Sequence, residues 1–310
     1  MQNRRKFLKW GAGAGALAVA GGFPLDAFAG SKHYEIVTIL HTNDVHSRIE
    51  PFPMDGSDFQ GLGGVAQRAT IIKRIRSEQE HVVLLDAGDI FQGTPYFNFY
   101  EGELEFKLMN ELGYDAATLG NHDFDAGMLA LEKQIDAANF PLVNSNYNFT
   151  DTNLADKVPE FTILDRGNVK IGIFGLGIEL KGLVPTKLYG KTQYNEPIEA
   201  ANRVSKMLKN DYNCDAVICL SHLGFQYESS KVSDVVLAGL TSDIDVIIGG
   251  HTHTFMESPK EYRNQLGNRV LINQVGWAGI YLGRIDLIFD IGKLKGYQSG
   301  LPEIVGKKTS

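Results

Sequence analysis

A chain of 310 residues, 43% of them apolar, is long enough to bury a large core in one or two domains, which excludes a disordered polypeptide. Its formal charge of -7 is spread along the sequence with no Lys/Arg block beyond the N-terminus. That argues against a dedicated nucleic-acid surface and leaves room for a small phosphorylated substrate.

Taken in chain order, residues 1–29 have the layout of an export signal. A basic segment, Asn3-Arg4-Arg5-Lys6-Phe7-Leu8-Lys9, precedes a Gly/Ala-rich stretch from Trp10 to Gly22, and the small residues Ala27 and Ala29 follow. Cleavage is expected after Ala29. The arginine pair resembles the twin-arginine type, which implies passage of an already folded protein to the periplasm or the outside of the cell. The apolar stretch falls well short of the roughly 20 residues of a stable membrane span.

From residue 35 onward, short β-branched runs alternate with longer amphipathic stretches. Strands are predicted at 35–40, 81–85, 115–119, 141–143, 161–164, 170–174, 216–220, 245–248, 270–273 and 284–289. Helices are predicted at 64–78, 102–110, 125–138, 197–210 and 233–239. The alternation makes an α/β protein. Asp165-Arg166-Gly167-Asn168 reads as a hairpin turn, and the last two strands leave no room for a helix between them. Two mixed sheets packed face to face with helices outside fit this better than one doubly wound sheet. Residues 30–290 form the domain, and 291–310, rich in Gly, Lys and Ser, read as a C-terminal extension. Cys214 and Cys219 flank one apolar run and would point to opposite faces of a strand, so they are expected to be small core residues.

Several apolar runs end in the same kind of residue. Asp44-Val45-His46, Gly88-Asp89, Gly120-Asn121-His122-Asp123-Phe124-Asp125, Ser221-His222 and Gly250-His251-Thr252-His253 each place imidazole, carboxylate or amide groups at a strand end. Polar groups crowded there are costly unless they serve a purpose. Imidazole nitrogen and carboxylate or amide oxygen are what divalent ions of the Zn, Mn, Fe or Co kind require. Taken singly, Asp44/His46 could be a loop polar pair, Asp89 a turn residue and His222 a satisfied core histidine. Five of the eight histidines fall in these motifs, however, and only His33, His41 and His81 fall outside.

The ordered set of motifs resembles the calcineurin-like metallophosphoesterase superfamily. Leu40-His41-Thr42-Asn43-Asp44-Val45-His46, Asn121-His122-Asp123-Phe124-Asp125 and the stretch Asn273-Gln274-Val275-Gly276-Trp277-Ala278-Gly279 to Leu282-Gly283-Arg284 resemble its 5′-nucleotidase branch. The resemblance implies a four-layer α/β/β/α sandwich and a centre of two divalent ions, of unassigned identity among Mn, Zn, Fe and Co. Asp44, His46, Asp89 and His253 would hold one ion, and Asp89, Asn121, His222 and His251 the other. A hydroxide shared by the ions would attack phosphorus, with His122 off the metals as the transition-state group and Asp125 orienting it.

The activity implied is hydrolysis of nucleotide phosphate monoesters. Alternatives within reach are a 2′,3′-cyclic-nucleotide or nucleotide-sugar phosphodiesterase, or a non-catalytic metal-binding subunit of a split nucleotidase. Complete 5′-nucleotidases carry a second, nucleotide-binding domain that is not seen in this sequence, so nucleotide specificity is expected to be either loose or supplied by a separately encoded partner resembling that domain.

Overall fold

The computed structural model describes residues 34–306, and the export signal read in residues 1–29 lies outside them. Two six-stranded sheets form the centre. The first runs in the order Lys293–Gln298, Tyr281–Asp290, Tyr34–Thr42, Val82–Asp86 and Ala116–Ala117, with Glu303–Ile304 pairing off the path onto Tyr281–Asp290. The second runs Lys260–Arg263, Arg269–Asn273, Val246–Gly249, Ala216–Ser221, Val169–Leu176 and Phe161–Arg166. The first is parallel from Tyr34–Thr42 to Ala116–Ala117 and antiparallel on its other side, and the second has a parallel interior between antiparallel edges, so both are mixed as expected.

Alternation explains the stacking. Val37 and Ile39, Val83 and Leu85, Ile171 and Ile173, Ile218 and Leu220, and Ile285 and Leu287 sit two apart on their strands and so share one face. They form a core between the sheets, where every one of them is fully buried. Each such side chain contributes about 1.5–3 kcal/mol relative to exposure. The opposite faces carry helices. Leu40 and Leu84 pack with Ile72, Ile75, Phe106 and Met109 from Val65–Glu78 and Glu103–Leu112. Val217, Cys219 and Ile247 pack with Ala201, Val204 and Leu208 from Pro197–Asn210, whose Pro197 starts the helix where no N–H is needed. The result is the four-layer α/β/β/α sandwich.

Several details differ from the sequence reading, three of them near the site or the sheet edges. Residues 141–143 do not form a strand but make one parallel bridge, Leu142 to Ala117, because Pro141 cannot extend the ladder. Residues 291–306 do not trail beyond the domain. Lys293–Gln298 and Glu303–Ile304 add to the first sheet, and Val305 is fully buried. Alternating lysine and apolar residues mark this edge strand, so its composition reads as solvated. A helix, Pro95–Tyr100, also follows the Gly88–Gly93 loop where none was expected. Both cysteines are free and buried. Among the described residues no helix is long and apolar enough to cross a membrane.

The parallel strands Tyr34–Thr42, Val82–Asp86, Ala116–Ala117, Ala216–Ser221 and Val246–Gly249 all end at the same side of the sandwich. Loops leaving such carboxyl ends are where α/β sheets build their sites.

Candidate metal centre

Those loops bring the predicted residues together. Asp44, His46 and His253 offer one ligand atom each within 4.8 Å of one another, and Asp89, His222 and His251 do the same beside them. Asn121 reaches the second group through Oδ1, 2.9 Å from Nδ1 of His251. His253 Nε2 lies 3.3 Å from Asp44 Oδ1 and 3.1 Å from His46 Nε2.

Local backbone makes this convergence possible. Asp44, His46, Asp89, His251 and His253 all have φ between 50° and 72°. Non-glycine residues adopt that left-handed region reluctantly, and such positions gather at functional sites. Gly120 is required for a different reason. A Cβ there would collide with the Asp89 carboxylate and amide and with the His222 ring.

Neighbouring groups orient several of these candidate ligands. His46 Nδ1 faces the Phe91 carbonyl at 3.1 Å and His222 Nδ1 the Ala87 carbonyl at 2.7 Å, which turns both Nε2 atoms inward. Asp44 accepts the His251 amide on both oxygens at 3.0 Å and the Asn43 side-chain amide at 2.6 Å. Asn43 also donates to the Gly276 carbonyl at 2.7 Å and accepts the Val275 amide at 2.9 Å, tying the Val275–Gly276 turn to Asp44. Gln274, fully buried, holds the His251–His253 loop by donating to Gly250 O at 2.6 Å and accepting from Thr252 Oγ1 at 3.0 Å and from the Thr254 amide.

Asp123 has a role that sequence reasoning left unassigned. Its carboxylate accepts four backbone amides: Asp89 at 3.0 Å, Ile90 at 2.8 Å, Phe91 at 3.2 Å and Gly120 at 2.7 Å. One side chain therefore folds the Asp89 loop and joins it to the Asn121 loop. Burial pushes Asp123 up to about 7, and the Asp89 charge adds to that, while the amide donors pull against it.

The donors suit divalent ions. His222 Nε2 is buried and makes no hydrogen bond of acceptable geometry, although Asp89 Oδ2 is 3.0 Å away. Burial acts to lower His222, and the Asp89 carboxylate overrides it and lifts the imidazole to about 10. The attraction that raises it is the negative charge of Asp89, which a bound cation would meet in the same place, and a site of this kind releases protons on metal binding. Burial lowers His251 to about 4, helped by the His222 charge, and also lowers His46. Both shifts favour the neutral imidazole, the form with a lone pair to give.

His122 and Asp125 stand apart from both ligand groups. A single 3₁₀ turn, His122–Phe124, puts Asp125 Oδ2 2.7 Å from His122 Nδ1. The His122 amide donates to Asp89 Oδ1 at 2.8 Å, and its ring meets that of His46 edge-on at 5.3 Å. The hydrogen bond to Asp125 raises the pKa of His122 above its ordinary value, outweighing burial. Its side chain is 37% exposed, so the ring is open to an incoming molecule.

Comparison with known proteins gives a consistent likeness. A family model described as calcineurin-like phosphoesterase matches residues 37–255. The snake venom 5′-nucleotidase of Gloydius brevicauda is 34% identical over 297 residues, covering 88% of this chain and 49% of the relative. A Vibrio cholerae 5′-nucleotidase is 32% identical over 87% of this chain and 52% of its own. The crystal structure of a 5′-nucleotidase precursor from Thermus thermophilus superposes with a TM-score of 0.80 at 30% identity, covering 87% of this chain and 55% of that one. The chain spans about half the length of the curated relatives it matches.

Proposed function

The chain belongs to the calcineurin-like phosphoesterase family, and we propose that it hydrolyses phosphate monoesters of nucleotides at a centre of two divalent ions. The observation that carries this reading is the pair of adjoining three-ligand groups with His122 beside them and off both. Asp44, His46, Asp89 and His253 would hold one ion, and Asp89, Asn121, His222 and His251 the other, with Asp89 shared. Such ions supply Lewis acidity, which neutralises charge on phosphoryl oxygens and makes water a nucleophile near neutral pH.

The chain's own residues do the rest. Asn43, Gln274 and Asp123 hold the ligand loops in place before any substrate arrives. His122, with Nδ1 committed to Asp125, has Nε2 left to hydrogen-bond an oxygen on which charge develops or to protonate the leaving oxygen. A pKa raised by Asp125 favours the donor form. A site that only stored metal would have no use for this pair.

The test is a panel of nucleoside 5′-monophosphates, a 2′,3′-cyclic nucleotide, a nucleotide-sugar and an aryl phosphate, assayed after chelation and again after adding Mn²⁺, Zn²⁺, Fe²⁺ or Co²⁺. Turnover is expected to vanish on chelation and return with metal, fastest on the monophosphates. Absence of turnover on every member with every ion overturns the reading.

The Arg4-Arg5 pair and the small residues Ala27 and Ala29 support export by the twin-arginine route, and with it a periplasmic or extracellular place of action. Replacing both arginines by lysine is expected to leave the unprocessed protein in the cytoplasm, seen by fractionation and immunoblot. Unchanged export of that variant would rule the route out.

A further inference from the structure

An aromatic group stands at the rim of the centre, and the phosphoryl chemistry above makes no use of it. Trp277 lies nearly parallel to His253, with ring centroids 5.9 Å apart and planes 10° apart. Phe59 stands edge-on to Trp277 at 6.2 Å and 89°, and nearly parallel to Phe255 at 6.3 Å and 15°. Phe52 backs the group, 5.6 Å from Trp277 and 5.7 Å from Phe59, with the Arg48 guanidinium 4.1 Å over its face.

The group is held in advance. The loop that carries Phe59 is closed by Phe52 N donating to Leu62 O at 2.8 Å and Gly61 N to Phe52 O at 2.9 Å. The Trp277 turn is fixed by Ala278 N donating to Asp44 O at 2.7 Å. Gly276, at φ +76°, leaves room for the Phe255 ring where any Cβ would strike it, and Tyr281 meets that ring edge-on at 5.0 Å. Rings fixed this way lose little freedom when something stacks on them.

Ordinary core packing does not account for this cluster, because Phe255 is 39% exposed and Phe52, Phe59 and Trp277 are only half-buried. A patch for a protein neighbour would not need to continue into a candidate ligand, whereas this one does through Trp277 and His253. Successive ring spacings of 5.9, 6.2 and 6.3 Å carry aromatic surface outward from the place where phosphate would bind. A planar group attached to that phosphate would lie along it.

We propose that Phe59, Phe255 and Trp277 form a stacking platform for the planar base that the leaving nucleoside of a nucleotide carries. The proposal rests on the hydrolase reading and assigns residues of this chain to the part of the substrate that lies beyond its phosphate. Stacking on aromatic rings tolerates every base, so the platform selects nucleotides over aliphatic phosphates without choosing strongly among bases.

The full chain carrying Trp10→Phe has Trp277 as its single tryptophan. Adenosine, which has no phosphate, is expected to quench its emission saturably, and the double variant Phe59→Ala/Phe255→Ala is expected to lose that quench. The ratio of kcat/KM for adenosine 5′-monophosphate to that for ribose 5-phosphate is expected to fall about tenfold in the double variant. Phe255→Ala alone, at an exposed ring, repeats the measurement if the double variant is unstable. No saturable quench, or a ratio changed by less than about twofold, overturns the platform and leaves the patch to a protein neighbour. If neither ester is turned over, the hydrolase reading fails, yet a quench that the double variant loses still upholds the platform.

Discussion

Asp89→Ala is expected to lose metal from both positions and to lower turnover by about 10³-fold or more, the scale on which removing a group that acts with every other part of a site is felt. Asp89 is only 2% exposed and is joined to nearly everything around it. Its Oδ2 faces His222 Nε2 at 3.0 Å, its Oδ1 accepts the His122 amide at 2.8 Å, its own amide donates to Asp123, and its carbonyl accepts the His46 amide at 3.1 Å. The backbone links survive in an alanine variant, so the loop should keep its shape while the shared ligand disappears. The readouts are bound metal per chain and the rise in Tm on adding Mn²⁺, which a protein binding its ions in the folded state must show. Two ions still bound per chain of the variant would sink the assignment of a shared ligand.

His122→Asn separates chemistry from metal binding. Turnover should fall about 10²–10⁴-fold, the range for loss of a positioned acid or base, with metal content and the Mn²⁺-dependent Tm shift unchanged. Asp125→Asn keeps the imidazole but weakens its 2.7 Å partner, so a smaller loss, about tenfold, is expected. The gap between the two variants reports how much of the effect is orientation. Equal loss of metal in the His122 and Asp89 variants would contradict a position off the ions.

What the sequence made legible follows from how local each signal is. The motifs that converge as candidate ligands could be read because each sits at the end of its own apolar run, and the His122–Asp125 pair because three residues separate them on one turn. The inter-sheet core could be read from alternation along single strands. Contacts that join distant segments could not. The tie from Asp123 to the Asp89–Phe91 amides spans more than thirty residues, and an aspartate beside a histidine gives no sign of it. Phe59 and Phe255 come from opposite ends of the domain, each unremarkable in its own loop. Val305 belongs to the core although the residues around it read as solvated.

The left-handed backbone at Asp44, His46, Asp89, His251 and His253 has a consequence for how this protein can change over generations. Each of these residues stays in a conformation that costs an L-residue roughly 1–2 kcal/mol and that glycine adopts freely. Selection for heat resistance alone, in a library kept free of divalent ions and with no demand for turnover, would therefore carry these five addresses toward glycine or asparagine, and sequencing the survivors would reveal it. Selection for turnover would hold them fixed. Robustness and reactivity are thus opposed at five identifiable codons, and the rest of the domain is left free to gain stability by ordinary means.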